Sequence, residues 1–370
     1  MTSSSPLPSI LLDIRERCND CGACLKSCTF LTQYGTPRTI STLFDFNAQQ
    51  QRQVAYHCSL CGLCTAVCPE KVDPCAMFLA IRRYHVESGS FDARPYRSLF
   101  WYERLGGSRL FSWYGLPDAC DTIFFPGCSL SGTRPEVTWQ LYQLLRRFIP
   151  SLGIILACCA KPSHDFGCME HFQSVFGGLS HRLSARGVKT VLTACPSCTK
   201  IFRDYGKGLS VMTVYEILQR QGGAKNIGTS GCSGEISVHD PCQLRDYPEV
   251  QSAIRSLLVD LGYTVVEMRH RGKTTLCCGE GGAVGCMEPR LSRGWMEKRR
   301  QESENRRLVS YCAGCTGSLG RVTPTFHVLD LLFLRYGASE RKISVSRGLM
   351  TYLNRLLLKL RLARVKKICR

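Results

Sequence analysis

From residue 122 onward, short apolar, β-rich runs punctuate the chain, each closed by a Gly/Pro turn and separated from the next by sequence of helical spacing. Thr122-Ile-Phe-Phe, Ile154-Ile-Leu-Ala, Val191-Leu-Thr-Ala, Ile236-Ser-Val-His and Leu308-Val-Ser-Tyr predict strands, and Glu136 to Phe148 predicts a helix. This alternation is expected of βαβ units with parallel sheets. Upstream, Pro74 to His85 has helical spacing with basic flanks and leads out of a first, all-helical domain. Residues 86–118 are looser: Gly89, Pro95 and Gly106-Gly107 alternate with Phe91, Tyr96, Phe100, Trp101 and Tyr102. They read as a connector whose aromatics pack on the next domain rather than meet a partner. At the other end, Leu349, Leu353, Leu356, Leu357, Leu360 and Ile368 fall near one helical face, with Arg and Lys opposite. That pattern suits an interfacial membrane helix, a partner-binding helix, or a helix packed on its own domain with a solvated basic face.

At 370 residues there is room for two or three domains and a sizeable core. The leader Met1-Thr-Ser-Ser-Ser-Pro has no basic segment, and Ile10-Leu11-Leu12 is too short for a signal peptide. No run approaches the roughly 18 apolar residues of a spanning helix. We therefore expect a cytoplasmic protein, peripheral on the inner face of the cytoplasmic membrane if its tail docks there. In that compartment the 24 cysteines read as ligands rather than disulfides. The formal charge is +19, and no acidic residue follows Glu340, whereas Arg341, Lys342, Arg347, Arg355, Lys359, Arg361, Arg364, Lys366, Lys367 and Arg370 are basic. A basic surface meets nucleic acid, an anionic leaflet or an acidic redox partner. No nucleic-acid-binding motif accompanies the charge, so no nucleic-acid partner is expected.

Two cysteine loops carry the first chemistry. Cys58-Ser-Leu-Cys61-Gly-Leu-Cys64-Thr-Ala-Val-Cys68-Pro69 has the C-x2-C-x2-C-x3-C-P spacing of a bacterial-ferredoxin loop, and Cys18-Asn-Asp-Cys21-Gly-Ala-Cys24-Leu-Lys-Ser-Cys28 repeats it without the final Pro. The fourth Cys of such a run ligates the other cluster in two-cluster proteins. Cys18, Cys21, Cys24 and Cys68 are therefore expected to hold one [4Fe-4S] cubane, and Cys58, Cys61, Cys64 and Cys28 the other. Zinc knuckles or a disulfide framework are the alternatives, and two complete four-Cys runs weigh against both. Each cubane carries about −2 with its thiolates, which lowers the balance to about +15.

The second signal is a repeat. Cys128 pairs with Cys242, Cys158-Cys159 with Cys277-Cys278, and Cys195-x2-Cys198 with Cys312-x2-Cys315, giving C-x29-CC-x35-C-x2-C and then C-x34-CC-x33-C-x2-C. Val211-Met-Thr-Val-Tyr-Glu and Thr325-Phe-His-Val-Leu-Asp continue the likeness. Ligands of parallel sheets sit beyond the carboxyl ends of the strands, so three strand ends per repeat would deliver five thiols to one place.

The doubled motif resembles the cysteine-rich CCG domains of the heterodisulfide reductase family. With the ferredoxin unit in front, residues 15 to 335 or so are similar to fused forms of its iron–sulfur and catalytic subunits. They are also similar to iron–sulfur subunits of anaerobic glycerol-3-phosphate, glycolate and lactate oxidoreductases. The resemblance implies an N-terminal all-α ferredoxin-like domain with two [4Fe-4S] clusters (1–85), a connector (86–118), and two pseudo-symmetric α/β CCG repeats with short parallel sheets (119–230 and 231–340). A basic amphipathic tail (341–370) follows. It also implies one or two further [4Fe-4S] clusters, of non-cubane type, on Cys128, Cys158, Cys159, Cys195 and Cys198 and on Cys242, Cys277, Cys278, Cys312 and Cys315. The second set would be the catalytic one, reducing or forming a disulfide. The first motif departs from the pattern, with Ala160 where the second has Gly279 and a short first spacing.

Weaker candidates surround these. His164, His239 and Asp240 border cysteine groups and could pass protons to a leaving thiolate, against the plainer reading of structural hydrogen bonds. Lys161 and Arg245 are anion-binding candidates or surface charges, and Cys168 and Cys286 are spare ligands or buried thiols. Gly279-Glu-Gly-Gly282 lacks the Lys-Ser/Thr of a phosphate loop. Cys75, Cys120, Cys232 and Cys369 fit no motif. Two functions follow: an iron–sulfur oxidoreductase subunit of heterodisulfide reductase type, or an electron-transfer subunit of an anaerobic flavin dehydrogenase passing electrons to membrane quinone. Without a nicotinamide or flavin fingerprint, either needs a flavoprotein or other redox partner.

Overall fold

Leu7, Leu11 and Ile14 share one face of the helix Leu7–Arg17 and are fully buried, which seats that helix on Phe30, Leu31, Met77, Phe78 and Ile81. The structure, a computed structural model, describes residues 6–223, 233–333 and 345–368, with side chains to residue 364. Cys232, Cys369, Arg341, Lys342 and Arg370, and the side chains of Lys366, Lys367 and Ile368, lie outside the described residues. The N-terminal unit is helical as far as Glu87. Its exit helix Pro74–Glu87 starts on a cap in which the Asp73 carboxylate accepts from the Ala76 N–H, with Pro74 in the first turn where a missing N–H costs nothing.

Residues 86–118 contain the helix Arg97–Gly107 and a strand, β1 (Trp113–Gly115). Their aromatics pack inward: Tyr96 and Phe100 lie with ring centroids 4.4 and 4.9 Å from Phe166. Trp101 stays half exposed.

The α/β region holds two sheets. The first contains β2 (Thr122–Phe125), β3 (Gly153–Leu156), β4 (Thr190–Thr193) and β5 (Ser210–Thr213) in the order β1-β3-β2-β4-β5, all parallel except β1, which runs antiparallel to β3. The second contains β6 (Glu235–His239), β7 (Thr264–Val265), β8 (Arg307–Ser310) and β9 (Thr325–His327) in the order β7-β6-β8-β9, all parallel. Both faces of these sheets are covered, so β3 is buried at every position and β2, β4 and β8 at all but the first.

One core joins the sheets. Leu141, Leu145, Val214 and Leu218 from the first unit meet Ile254, Leu257, Leu258 and Leu329 from the second. Across the same interface Arg134 Nε lies 2.8 Å from both carboxylate oxygens of Asp330, both side chains buried.

Two features tie in the remaining elements. Arg82, fully buried, donates to the carbonyls of Ala55 and Cys58 in the N-terminal unit, Asp165 in the first α/β unit and Gly282 in the second. The C-terminal helix Leu349–Ile368 lies on the short helix Cys128–Thr133, where Asn354 Nδ2 donates to the Gly132 carbonyl at 2.8 Å. A Cβ on Gly132 would stand 3.1 Å from the Thr351 carbonyl oxygen, so a small residue is needed for this approach. The helix buries Thr351, Asn354, Arg355, Leu358 and Leu362, and turns Leu349, Leu353, Leu357 and Leu360 outward.

Candidate metal centres

The two ferredoxin loops share a backbone path. Asp20 and Gly22 in one loop, and Leu60 and Gly62 in the other, all have left-handed φ, between 49 and 70°. For Asp20 and Leu60 this conformation is strained by about 1 kcal/mol or more, yet it recurs at the same place in both loops and turns the chain around its cysteines. Cys18, Cys21, Cys24 and Cys68 line one cavity, and Cys28, Cys58, Cys61 and Cys64 line a second. These are the crossed sets expected from the spacing. Cys64 borders both cavities, so the two sites adjoin. Cys75, to which the sequence assigned no role, also lines the second cavity, with Phe78 and Trp295. Burial pushes the Cys61 and Cys75 thiols up to about 12. Protons at such a site must leave when metal arrives.

In the second α/β unit all five thiols converge. Cys242 follows β6, Cys277 and Cys278 end the loop after β7, and Cys312 and Cys315 open the helix Ala313–Leu319 beyond β8. Each thiol perturbs the titration of the next in the order Cys242, Cys277, Cys278, Cys315, Cys312. Cys278 accepts from Cys277 and Cys315, which pulls its thiol down to about 6. The position after it requires glycine. Gly279 has φ +85°, and a Cβ there would lie 2.5 Å from the Ser292 carbonyl oxygen.

His239, at the end of β6, presents a ring nitrogen within 4.8 Å of the Cys278 and Cys315 sulfurs. Arg299 Nε donates to His239 Nδ1 at 3.1 Å, which leaves the proton on Nε2, a buried donor with no partner among the described residues. Burial and the Arg299 charge push His239 down to about 3. It is a neutral ring beside these sulfurs with its Nε2 proton unmet, not an acid that gives up its proton near neutrality. Asp240 is tied to Arg255, the Gly272 N–H and the Tyr311 hydroxyl.

The first unit gathers its thiols as a pair and a trio rather than one series. Cys158 donates to Cys128, Cys198 lies 3.4 Å from Cys159, and Cys198 also bonds Cys195. Gly127 leaves the room for this: its Cβ would come 2.9 Å from Cys195 Cβ and 3.1 Å from Cys198 Sγ. Ala160 takes the left-handed conformation that Gly279 takes in the other unit, with φ +55°, and is fully buried. Cys128 falls to about 6, because Cys158 donates to it, the Arg355 charge is near and the Tyr102 hydroxyl also donates. Neither Tyr102 nor Arg355 belongs to the repeat.

The second five-thiol set lies against a ferredoxin loop. Arg245, which the sequence left as an anion binder or a surface charge, is buried and joins the Cys61 carbonyl (2.9 Å) to those of Thr275 (3.0 Å) and Lys273. Leu63 and Cys61 pack with Leu276, Cys277 and Trp295. The glycines at 281 and 282 permit this approach, since a Cβ on either would lie 2.4 or 2.6 Å from the Ser59 or Cys58 carbonyl oxygen. Between the two five-thiol sets stands a ring pair: Tyr215 and Tyr311 have centroids 5.8 Å apart, and the Tyr215 hydroxyl donates to the Ala194 and Tyr311 carbonyls at 3.2 and 3.3 Å.

The other candidates sit elsewhere. His164 is held by Asp165 and the Tyr205 hydroxyl, both at 2.9 Å, and Lys161 pairs with Asp165. Cys168 packs near Tyr56, Tyr96 and Phe166, Cys286 is exposed, and Cys120 donates to the Thr122 carbonyl. Sulfur donors in groups of four and five, with buried arginines behind them, suit iron–sulfur clusters.

Residues 17–73 match the family model of a 4Fe-4S dicluster domain, and residues 236–320 match that of the CCG cysteine-rich domain. An uncharacterized iron-sulfur protein of Methanococcus maripaludis is 22% identical over 325 residues, covering 77% of this chain and 63% of its own. A probable membrane-anchored ferredoxin of Chromohalobacter salexigens is 31% identical over 97 residues, covering 25% of this chain and 14% of its own. This chain thus spans less than two thirds of the length of either relative. A glutamate racemase from Bacillus anthracis aligns at 14% identity with a TM-score of 0.27, over 57% of this chain and 77% of that one, which carries no argument.

Proposed function

We propose that the chain, whose residues 17–73 and 236–320 match a 4Fe-4S dicluster domain and a CCG domain, is an iron–sulfur electron-transfer protein that relays electrons through two cubanes to its five-cysteine sets and reduces, or forms, a disulfide there. In this reading the two α/β units are a pseudo-symmetric pair. Cys18, Cys21, Cys24 and Cys68 and Cys28, Cys58, Cys61 and Cys64 hold the cubanes. Cys242, Cys277, Cys278, Cys312 and Cys315 hold the catalytic cluster, and Cys128, Cys158, Cys159, Cys195 and Cys198 its counterpart. The observation that carries the reading is that Tyr215 and Tyr311 join the residues preceding Cys195 and Cys312, while the Cys61 loop packs on Cys277.

Bound clusters would supply electrons one at a time and iron with affinity for sulfur. The chain does the rest. Arg245 and Trp295 fix the gap between the Cys61 loop and Cys277. His239 Nε2–H offers a hydrogen bond to sulfur at the second set. The overall change balances as one disulfide plus two electrons and two protons giving two thiols, or the reverse, with a flavoprotein or other redox subunit at the far end of the chain of sites. The test is stopped-flow reoxidation of the reduced protein by a panel of disulfides. We expect fast oxidation by at least one disulfide, abolished in Cys277→Ser; indifference to all of them would sink the disulfide chemistry.

A second reading rests on the C-terminal helix. Its leucine stripe faces outward, with Leu349, Leu353, Leu357 and Leu360 between 45 and 85% exposed, and exposed Arg361 and Arg364 continue the helix. No helix among the described residues is long and apolar enough to cross a membrane. A leucine face with basic neighbours suits an interfacial helix on an anionic leaflet, worth roughly 0.8 kcal/mol per CH2 buried. The chain would then dock peripherally and pass electrons toward membrane quinone. Oxidation by a menaquinone analogue that quickens on anionic vesicles and loses that gain in Leu353→Glu/Leu357→Glu is the expected result. An equal rate with and without vesicles would contradict it.

A further inference from the structure

Three arginines are among the largest fully buried side chains: Arg82, Arg299 and Arg355. Arg is seldom buried without a partner, because an uncompensated charge in the interior is heavily destabilising. Arg82 is met by four carbonyls and stands beside Cys58. Arg299 is met by Glu302, His239 and the His270 carbonyl, and stands beside Cys278 and Cys315. Each lies next to a proposed cluster site and has acceptors of its own.

Arg355 differs. Its Nη2 donates to the Gly106 carbonyl at 2.8 Å, but Nε and Nη1 are buried with no acceptor among the described residues. The fold is shaped to admit it, since a Cβ on Gly106 would collide with Nη1 at 2.7 Å. The helix that carries it lies on the short helix that Cys128 opens, where its neighbour Asn354 meets the Gly132 carbonyl, and Tyr352 packs on Tyr102 with ring centroids 5.6 Å apart. The guanidinium charge acts on both the Cys128 thiol and the Tyr102 hydroxyl. No carboxylate is paired with it among the described residues.

We propose that Arg355, carried by the C-terminal helix, is the counter-cation of the cluster held by the first five-cysteine set, with Tyr102 donating a second hydrogen bond to its Cys128 ligand. The inference rests on the reading of that set as a cluster site. Iron bound by thiolates leaves net negative charge, which is what the two unmet N–H groups lack. Cation and donor both favour the more negative, reduced form, so they raise the reduction potential of the first site. The second set also has a buried cation beside it, but Arg299 is already met by Glu302 and His239, whereas Arg355 has no acidic partner among the described residues. Arg355 is thus a positioning residue whose charge is left to the first site.

The experiment is a redox titration of the loaded, full-length protein followed by electron paramagnetic resonance, with Cys159→Ser to identify the first-site signal. Arg355→Gln should lower the potential of that signal alone, Arg355→Lys should largely restore it, and Tyr102→Phe should give a smaller shift of the same sign. An unshifted signal in Arg355→Gln with iron content intact overturns the proposal. If Arg355→Gln loses about four iron atoms, retention of iron by Arg355→Lys supports it. If the Lys variant loses them too, Tyr102→Phe decides, and no shift there overturns it. A wild-type protein with cubane signals only would refute the proposed function instead.

Discussion

The two five-cysteine sets are built alike and surrounded differently. Each places one cysteine after the first strand of its unit, a Cys-Cys pair after the second and a C-x2-C after the third; the second set is linked throughout, and the first falls into a pair, Cys128 with Cys158, and a trio, Cys159 with Cys198 and Cys195. Their neighbours come from opposite ends of the chain. The second set is backed by the Cys58–Cys64 loop through Arg245, Trp295 and the glycines at 281 and 282. The first is closed by Tyr102 from the connector and Arg355 from the C-terminal helix. The gathering of five thiols is thus a property of each α/β unit by itself, whereas the surroundings of each set are decided by what packs on it afterwards.

The harshest test of that comparison removes one ligand from each set. Cys278→Ser and Cys159→Ser should each lose about four iron atoms per chain and spare the other set. Only Cys278→Ser should also stop fast electron delivery from the cubanes to the remaining set, as followed by freeze-quench spectroscopy. Equal effects on delivery would remove the asymmetry. Next, Asp330→Asn strands the buried Arg134 charge between the units, and we expect a loss of about 3–5 kcal/mol in denaturant titration.

A finer contrast concerns the residue after each Cys-Cys pair. Gly279→Ala drives a methyl to 2.5 Å from the Ser292 carbonyl oxygen and should cost about 2 kcal/mol or more. Ala160→Gly relieves a left-handed alanine and should shift stability by no more than about 1 kcal/mol. The smallest effect is in pH dependence. Where the first unit has Thr213 capping with Glu216, the second has His327 with Asp330. Burial holds His327 well below its ordinary value. The unfolded chain therefore binds this proton first, so the contribution is present above about pH 6.5 and is lost as pH falls, by up to about 1.4 kcal/mol per unit. His327→Thr should flatten the stability profile between about pH 5 and 6.5 relative to wild type.

The local half of this architecture was legible in the sequence. Cysteine spacing is a property of a few consecutive residues, so the grouping of the cysteines could be read from Cys18 to Cys315, as could five of the strands before them, but not β7, which stands a loop away from Cys277. The surroundings could not. Tyr102, Trp295 and Arg355 reach their sites through contacts between segments far apart in the chain, which no spacing encodes, and Cys75 reaches its cavity from the first turn of the exit helix, outside the ferredoxin spacing. The C-terminal helix shows the limit of periodicity. Its pattern says which leucines share a face, but not that Asn354 and Arg355 turn inward to Gly132 and Gly106 while those leucines face out. Likewise, the glycines at 281 and 282 resemble a binding loop until the Ser59 and Cys58 carbonyls are seen against them. Ala160 is a converse case: a departure from the repeat that the backbone absorbs.

Iron and acid-labile sulfide per chain, measured on anaerobically purified protein, test the central claim most directly. Four [4Fe-4S] sites predict about 16 iron atoms and as many sulfides. About 12 or fewer, with Cys159→Ser unable to lower the count, would contradict the assignment of the first five-cysteine set as a metal centre.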